Sequence, residues 1–332
     1  MFNNLINAHD FVVLYEKLRG NGPGKTATKF IKSGKERVKL SWAHTSGGTS
    51  NWWDIPEVNR RWNLMITGSP DIDHYRYVSA KYLNVNHPLN GISLGCGTGN
   101  REVRWVSACE TLRLSCYDIS KERIRQAGAN AKAASVDSRL TFAVGDVHTL
   151  DLGLKMHDIA IVEGALHHFH PMISALEKIG RSLKDDAIFV VNEYVGPSRF
   201  QWTERQLESV NQVLQLIPGE FRKNYSNGRV KEKVYRPGRL SMFLNDPSEA
   251  AESDLIETAI ADRFRILERK EYGGTLLQLL FKDIAHNFVN ENKETKELLE
   301  RIFSIEDGML KSGELKSDFV FFICTNRKES SS

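Results

Sequence analysis

The chain has 332 residues, of which 41% are hydrophobic and 26% charged, and its formal net charge is +3 at pH 7. This size and composition fit a globular protein with a sizeable core, and the small net charge disfavours a broad nucleic-acid-binding surface. The four cysteines form no C-x-x-C pair, and no apolar run resembles a signal peptide or a membrane span. We therefore expect a cytoplasmic protein without a disulfide framework.

The first 85 residues are predicted to form a helical and irregular cap. The cap contains a basic segment between Lys25 and Lys39, in which six Lys and Arg side chains are opposed only by Glu36. A solvated arm and a site for an anionic ligand both account for such a segment. A helix from about His74 to Tyr82 ends the cap.

A glycine-rich turn follows the first predicted strand. Residues 92–94 supply the apolar strand, and Gly95, Gly97 and Gly99 follow it directly, before a predicted helix. Glycines lack the β-carbon that keeps a backbone from turning tightly and from approaching a ligand. Because G-x-G also occurs in ordinary turns, this loop indicates a nucleotide-cofactor cradle only in combination with later motifs.

Two carboxylates follow the next two predicted strands. Asp118 ends the second strand, where an acid accepts hydrogen bonds from ribose hydroxyls, and Asp146 follows the third, where it is placed for an adenine amine. Taken singly, each Asp is equally consistent with a helix N-cap or a solvated loop. The spacing G-x-G-x-G differs from the G-x-G-x-x-G of pyrophosphate-binding folds, which disfavours a dinucleotide cofactor.

The motifs L-G-C-G-T-G, Y-D-I and G-D-V, in this order, resemble those of the class I S-adenosylmethionine-dependent methyltransferases over about residues 90–194. The resemblance implies a Rossmann-like α/β fold whose sheet is mostly parallel with an antiparallel last strand and helices on both faces. It also implies S-adenosylmethionine as cofactor and S-adenosylhomocysteine as product. The cofactor-binding residues that we predict are Gly95, Cys96, Gly97, Gly99, Asp118, Ile119, Asp146 and Val147, together with Glu163 and Gly164 at the end of the fourth strand.

Two adjacent histidines follow the fourth predicted strand, which covers residues 158–163. An imidazole near neutral pKa suits a general base, so His167 and His168 are the predicted catalytic residues. Structural packing of one histidine and solvation of the other is an equally weighted alternative. The L-H-H sequence resembles that of sugar O-methyltransferases and of quinone C-methyltransferases, so it does not identify the acceptor. Glu163, Glu193 and His167 could converge on a metal ion, but no metal-ligand spacing compels such a site, and we expect no metal.

A polar segment leaves the fifth predicted strand, which covers residues 187–194. Such a segment suits a hydroxyl-rich acceptor, although a structured loop with an Arg199–Glu193 ion pair also explains it. The segment resembles uncharacterised bacterial methyltransferases associated with surface-polysaccharide biosynthesis. The predicted substrate residues are Glu193, Tyr194, Arg199, Gln201 and Trp202.

The predicted domain order places the cofactor-binding core between a cap and an insertion. Residues 1–85 form the cap, 86–195 the core, 196–262 a substrate-covering insertion, 263–327 the completion of the sheet and 328–332 a disordered tail. In the completing part we predict a strand over 264–272, one apolar helix over 275–288 and a final strand over 318–325.

The predicted activity is O-methylation of a sugar or polysaccharide precursor with a histidine base. Alternative acceptors are a lipid, a quinone or a natural-product phenol. A different hypothesis is that the protein is a non-catalytic subunit that binds the cofactor. A nucleic-acid acceptor is disfavoured because the sequence after the fourth strand is E-G-A-L, without the N/D-P-P-Y/F of base N-methyltransferases. The sequence does not indicate an oligomeric state.

Overall fold

The protein is described by a computed structural model that covers residues 51–239, 242 and 248–327. It contains a seven-stranded sheet with the strand order β3-β2-β1-β4-β5-β7-β6. Strands β1 to β5 pair in parallel, and β7 pairs antiparallel with β6. This arrangement confirms the predicted α/β fold. The strands are β1 Leu89–Leu94, β2 Leu112–Asp118, β3 Leu140–Val144, β4 His157–Glu163, β5 Leu183–Tyr194, β6 Phe264–Glu271 and β7 Phe319–Asn326.

The central strands are apolar because both of their faces are buried. Residues 159–162 of β4 and 187–191 of β5 are continuous apolar runs, which is typical of parallel strands covered on both sides. They pair from Ile159↔Ile188 to Glu163↔Asn192. This register brings the acidic and amide side chains that end the two strands to the same edge of the sheet.

Several helices begin at a side chain that caps them. Asp73, Thr203 and Asn292 each accept a hydrogen bond from the backbone N–H three residues later, and Ser120 does the same for Arg123. The helices are α1 Pro56–Thr67, α2 His74–Tyr82, α3 Asn100–Ala108, α4 Lys121–Ala133, α5 Met172–Ser182, α6 Glu204–Leu214, α7 Ile256–Arg263, α8 Leu277–Phe281 and α9 Lys293–Lys311.

The predicted apolar helix over 275–288 is wrong. The structure has the short helix α8 and a separate 3-10 turn, Ala285–Phe288, and between them Asp283 adopts a positive φ of 67° that an α-helix does not allow. Residues 293–311 form the long helix α9, which the sequence pattern did not lead us to predict.

The described residues group into two compact units. The sheet unit comprises residues 65–195, 250–271 and 320–327, and the second unit comprises 51–64, 196–239, 242, 248–249 and 272–319. The domain boundaries given above stay predictions. The basic segment between Lys25 and Lys39, the first 50 residues of the cap and the tail lie outside the described residues. No helix among the described residues is both long and apolar enough to cross a bilayer.

Candidate active site

The glycine loop at the end of β1 adopts a backbone that requires glycine at three positions. Gly95, Gly97 and Gly99 have φ values of 74°, 56° and 74°. A β-carbon on Gly95 would lie 2.4 Å from Cβ of Ala165, and one on Gly99 would lie 2.9 Å from Cβ of Ala127. The loop is therefore pressed against the chain that follows β4 on one side and against α4 on the other.

Asp118, at the end of β2, ties the glycine loop to the start of α4. Its Oδ2 accepts a hydrogen bond from the Gly97 N–H at 2.9 Å, and its Oδ1 accepts one from the Ser120 N–H at 2.8 Å. The carboxylate thus borders the loop, as the predicted ribose site requires. Ile119 beside it is half-buried. Cys96 is buried in the loop, and this burial raises the pKa of its thiol far above the usual range.

Asp146 and Val147 follow β3 at the same edge of the sheet. Oδ1 of Asp146 accepts a hydrogen bond from the His148 N–H at 3.0 Å, and Val147 is buried. The carboxyl ends of parallel strands form the ligand edge of such sheets. Asp118 and Asp146 therefore lie at the ends of two strands, β2 and β3, that pair directly.

Glu163, at the end of β4, is buried in contacts that the sequence did not predict. Its Oε1 accepts from Trp105 Nε1 at 2.9 Å and lies 3.2 Å from His74 Nε2, and Oε2 lies 3.6 Å from Arg101 Nε. Burial raises the pKa of this carboxyl, but His74, Arg101 and Trp105 outweigh burial and hold the pKa below its usual range. The next residue, Gly164, has a φ of 59°.

A turn carrying the two predicted catalytic histidines follows directly. Residues 166–168 form a 3-10 turn, and the rings of His167 and His168 lie 4.0 Å apart between centroids. Nδ1 of His167 lies 2.5 Å from Oε1 of Glu193. Ala165, which begins this turn, is the residue against which Gly95 packs. The histidine turn is therefore in contact with the glycine loop.

Glu193 and Tyr194, two predicted substrate residues, are both buried at the end of β5. The Glu193 carboxylate accepts hydrogen bonds from the backbone N–H groups of Ala165, Leu166 and Tyr194. It thereby connects the end of β5 to the histidine turn. No sequence signal marked this contact, because a strand-end position does not reveal which partner a side chain finds.

The other predicted substrate residues lie in the second unit. Arg199 and Phe200 have φ values of 54° and 53°, and a left-handed conformation costs a residue with a side chain about 1–3 kcal/mol. Nε2 of Gln201 donates to the carbonyls of Arg199 and Pro237, and the buried Trp202 stacks on Phe200 at 5.3 Å. Such strain is typical of functional sites.

Comparison with known proteins identifies part of the chain. A family model described as a methyltransferase domain matches residues 92–186. The sterol 24-C-methyltransferase of Candida albicans is 26% identical over 148 residues, 44% of this chain and 38% of that protein. The enzyme of the same name from Clavispora lusitaniae is 22% identical over 163 residues, 48% of this chain and 42% of that protein. The chain thus spans about two fifths of the length of these curated relatives.

Among solved structures, phosphoethanolamine N-methyltransferase 2 of Haemonchus contortus, bound to S-adenosyl-L-methionine, aligns with a TM-score of 0.51 at 12% identity, over 90% of this chain and 60% of that one. This likeness concerns the fold alone. The arrangement is compatible with that cofactor, because the positive φ values of the three glycines let the loop turn tightly and bring its backbone beside the Asp118 carboxylate. The matched residues, 92–186, contain the glycine loop, the two acids and the histidine turn, and this part of the chain is similar to a methyltransferase domain.

Proposed function

We propose that the protein is an S-adenosylmethionine-dependent methyltransferase that methylates a hydroxyl oxygen, with His167 as the general base. The observation that carries this proposal is the contact between the glycine loop and the histidine turn, through Gly95 and Ala165. This contact supports a site in which the imidazole of His167, paired with Glu193, lies near the proposed cofactor-binding loop. A cofactor-binding subunit without chemistry would not need this pair.

The residues that would hold the cofactor follow from their positions around the loop. The backbone of residues 95–99 would approach the methionine part, Asp118 and Ile119 the ribose, and Asp146 and Val147 the adenine. Gly164 would make room for the guanidinium of Arg101, since an added β-carbon would lie 3.1 Å from its Nη1, and Glu163 would hold that guanidinium beside the loop. The proposal requires no metal.

The chain's own part in the reaction is to orient the acceptor and to take its proton. When bound, S-adenosylmethionine supplies a methyl group, and the carbon–sulfur bond breaks with its electron pair left on sulfur as the acceptor oxygen bonds to that carbon. His167 receives the hydroxyl proton and becomes imidazolium. Glu193, buried beside it, balances the new positive charge.

For the acceptor we propose a sugar or polysaccharide precursor. The strained segment over residues 198–202 supports this, because it combines polar groups with the stacked rings of Phe200 and Trp202. The second candidate is the carbon of a lipid, favoured by the identity to sterol C-methyltransferases. Transfer of labelled methyl to nucleotide sugars, and not to sterols, quinones or phenols, is expected; the reverse would favour the second candidate.

Calorimetric titration with S-adenosylhomocysteine tests the cofactor, with Gly95→Ala and Gly128→Ala as a matched pair. Gly95→Ala places a β-carbon 2.4 Å from Ala165, in a backbone with φ 74°, whereas an added β-carbon at Gly128 in α4 meets no atom within 4 Å. We expect Gly95→Ala to weaken binding by roughly tenfold or more, about 1.4 kcal/mol. Gly128→Ala should bind like the parent.

A second variant covers the case in which Gly95→Ala does not fold. Asp118→Ala removes the acceptor of the Gly97 and Ser120 N–H groups and the proposed ribose contact. We expect it to bind S-adenosylhomocysteine more weakly too. Failure of the parent protein to bind S-adenosylhomocysteine or S-adenosylmethionine would overturn the proposed function.

A further inference from the structure

The carboxylate of Glu193 has a side-chain exposure of 0% and sits among hydrogen-bond donors. Its Oε2 accepts from the N–H groups of Ala165 at 3.0 Å and Leu166 at 2.7 Å. Its Oε1 accepts from the Tyr194 N–H at 2.7 Å and lies 2.5 Å from Nδ1 of His167. Three backbone donors thus fix the orientation of this carboxylate in the sheet unit.

This arrangement determines which nitrogen of His167 carries the proton. Both oxygens of Glu193 already accept backbone hydrogens, so a carboxyl proton would have to compete with them. The hydrogen between Glu193 and His167 therefore belongs to Nδ1. A neutral imidazole protonated at Nδ1 has its lone pair on Nε2, on the far side of the ring from Glu193.

We propose that Glu193 is a positioning residue that holds His167 in the Nδ1–H tautomer and thereby makes Nε2 the proton acceptor. The assignment of Nε2 as a base rests on the proposed function, whereas the tautomer does not. Glu193 acts through His167 and does not touch the acceptor. This replaces the direct substrate contact that we expected for Glu193 from its place at the strand end.

The same geometry distinguishes His167 from His168. Nδ1 of His167 is the imidazole atom that reaches the Glu193 carboxylate, and the His168 ring lies beside the His167 ring at 4.0 Å. When His167 becomes imidazolium, its charge faces a buried carboxylate at hydrogen-bond distance. Charge-assisted hydrogen bonds of this kind are roughly twice as strong as neutral ones, so protonation at Nε2 is favoured.

Glu193→Gln is the sharpest variant, because it keeps the shape and changes one hydrogen-bonding group. The amide oxygen can still accept from Ala165 and Leu166, which leaves the NH2 group facing His167 and the Tyr194 N–H. An NH2 group donates, so Nδ1 of His167 must then accept and the ring proton moves to Nε2. The lost Tyr194 bond makes some destabilisation unavoidable.

Nitrogen-15 NMR of histidine-labelled protein reads this tautomer without any acceptor, and loss of a signal in His167→Gln identifies the residue among the ten histidines. We expect Nδ1–H in the parent and Nε2–H in Glu193→Gln. The matched control is Glu252→Gln, whose parent carboxylate pairs with Nδ1 of the exposed His170 at 3.0 Å. It should leave the His167 signals unchanged.

An Nε2–H tautomer in the parent would overturn the proposal, even if Glu193→Gln fails to fold, and so would an unchanged tautomer in a folded Glu193→Gln protein. On the acceptor that the screen returns, we expect Glu193→Gln to lower kcat by roughly 10²-fold with S-adenosylhomocysteine affinity retained. If the tautomer changes as expected and kcat does not, Glu193 still positions the ring, and the base assignment in the proposed function is what fails.

Discussion

Glu102 is a buried acid in the first turn of α3, directly after the glycine loop. The Oγ of Ser93 donates a hydrogen bond to its Oε1 at 2.7 Å, and burial raises the pKa of Glu102 from 4.5 to about 7. Between these two pH values the folded protein keeps a proton that the unfolded chain releases. The free energy of unfolding therefore falls as the pH rises through this window, and the loss is complete above the higher of the two pH values.

Glu102→Gln removes this pH-dependent penalty. At about 1.4 kcal/mol per pKa unit, the variant should gain about 2–3 kcal/mol relative to the parent between pH 5 and pH 8. Burying the uncharged amide changes the free energy of unfolding by the same amount at both pH values, so this change cancels when the two values are subtracted. Urea unfolding at the two pH values measures the difference, and the exposed Glu122→Gln should show none. Equal effects of Glu102→Gln at pH 5 and pH 8 would show that Glu102 is already ionised at pH 5.

Some residues of the candidate site could be predicted from the sequence, and the contacts of others could not. The glycines and Asp118 act through backbone geometry next to a strand end, which motif spacing encodes, and the structure places them around one loop. Glu193 and Glu163 also end strands, yet their partners come from distant segments, such as His74 on α2. A pattern along the chain carries no record of such contacts.

Helix α8 has five residues and is stabilised by charged side chains at both ends. At its start, Glu306 accepts hydrogen bonds from the N–H groups of Leu276 and Leu277, and it pairs with Arg61 at 2.9 Å. At its end, Lys231 donates to the carbonyls of residues 279, 280 and 282, and burial lowers the pKa of Lys231 to about 7. These contacts provide hydrogen-bond partners for the backbone N–H and C=O groups at the two ends of the helix, which have no partner within it.

Glu306→Gln tests this capping. Either orientation of the new amide sets its NH2 group against donors, which are Arg61 on one side or the Leu276 N–H on the other. We expect a loss of about 2–4 kcal/mol in the free energy of unfolding, because a buried ion pair is broken. Glu297→Gln, on the exposed face of the same helix α9, should cost less than about 0.5 kcal/mol. Equal midpoints in urea for the two variants would contradict the capping role.

The same contacts explain why the helix over 275–288 was wrongly predicted. The apolar run from Thr275 to Phe288 has the composition of one buried helix, and composition alone does not reveal a break within it. The break depends on Lys231, which lies about 50 residues earlier and takes up the carbonyls that a continuing helix would need. The missed helix α9 does carry local signals, since Asn292 caps it and Leu299 and Ile302 are buried at helical spacing.

At the scale of the molecule, each unit is assembled from separate stretches of chain. The sheet unit takes β6 and β7 from beyond the segment 196–249, and the second unit takes up residues 272–319 between those two strands. Alternating strands and helices predict the first five strands well because they are consecutive. The later part interleaves two units, and hydrophobic periodicity does not report which unit a segment joins.

The charge of the whole chain bears on its partners. It carries 45 Lys and Arg residues against 42 Asp and Glu residues, and six of the basic residues lie between Lys25 and Lys39. Each phosphate contact contributes about −0.9 to the slope of log affinity against log salt, so six contacts would give a slope of about −5. The affinity for nucleic acid that this segment alone could provide would therefore fall steeply between 50 and 200 mM salt.

We expect no functional affinity for nucleic acid, with a Kd above about 10⁻⁴ M for a labelled 20-base-pair DNA in 200 mM salt. Fluorescence anisotropy at 50 and 200 mM salt measures it. Any binding at 50 mM salt should weaken when Lys29 and Lys32 are both changed to Gln, because the positive charge of this segment would supply it. Micromolar binding that persists at 200 mM salt, with a shallow slope of log affinity against log salt, would instead indicate contacts to the bases or to the shape of the DNA. That result would contradict the proposed sugar acceptor and favour a nucleic acid as the acceptor.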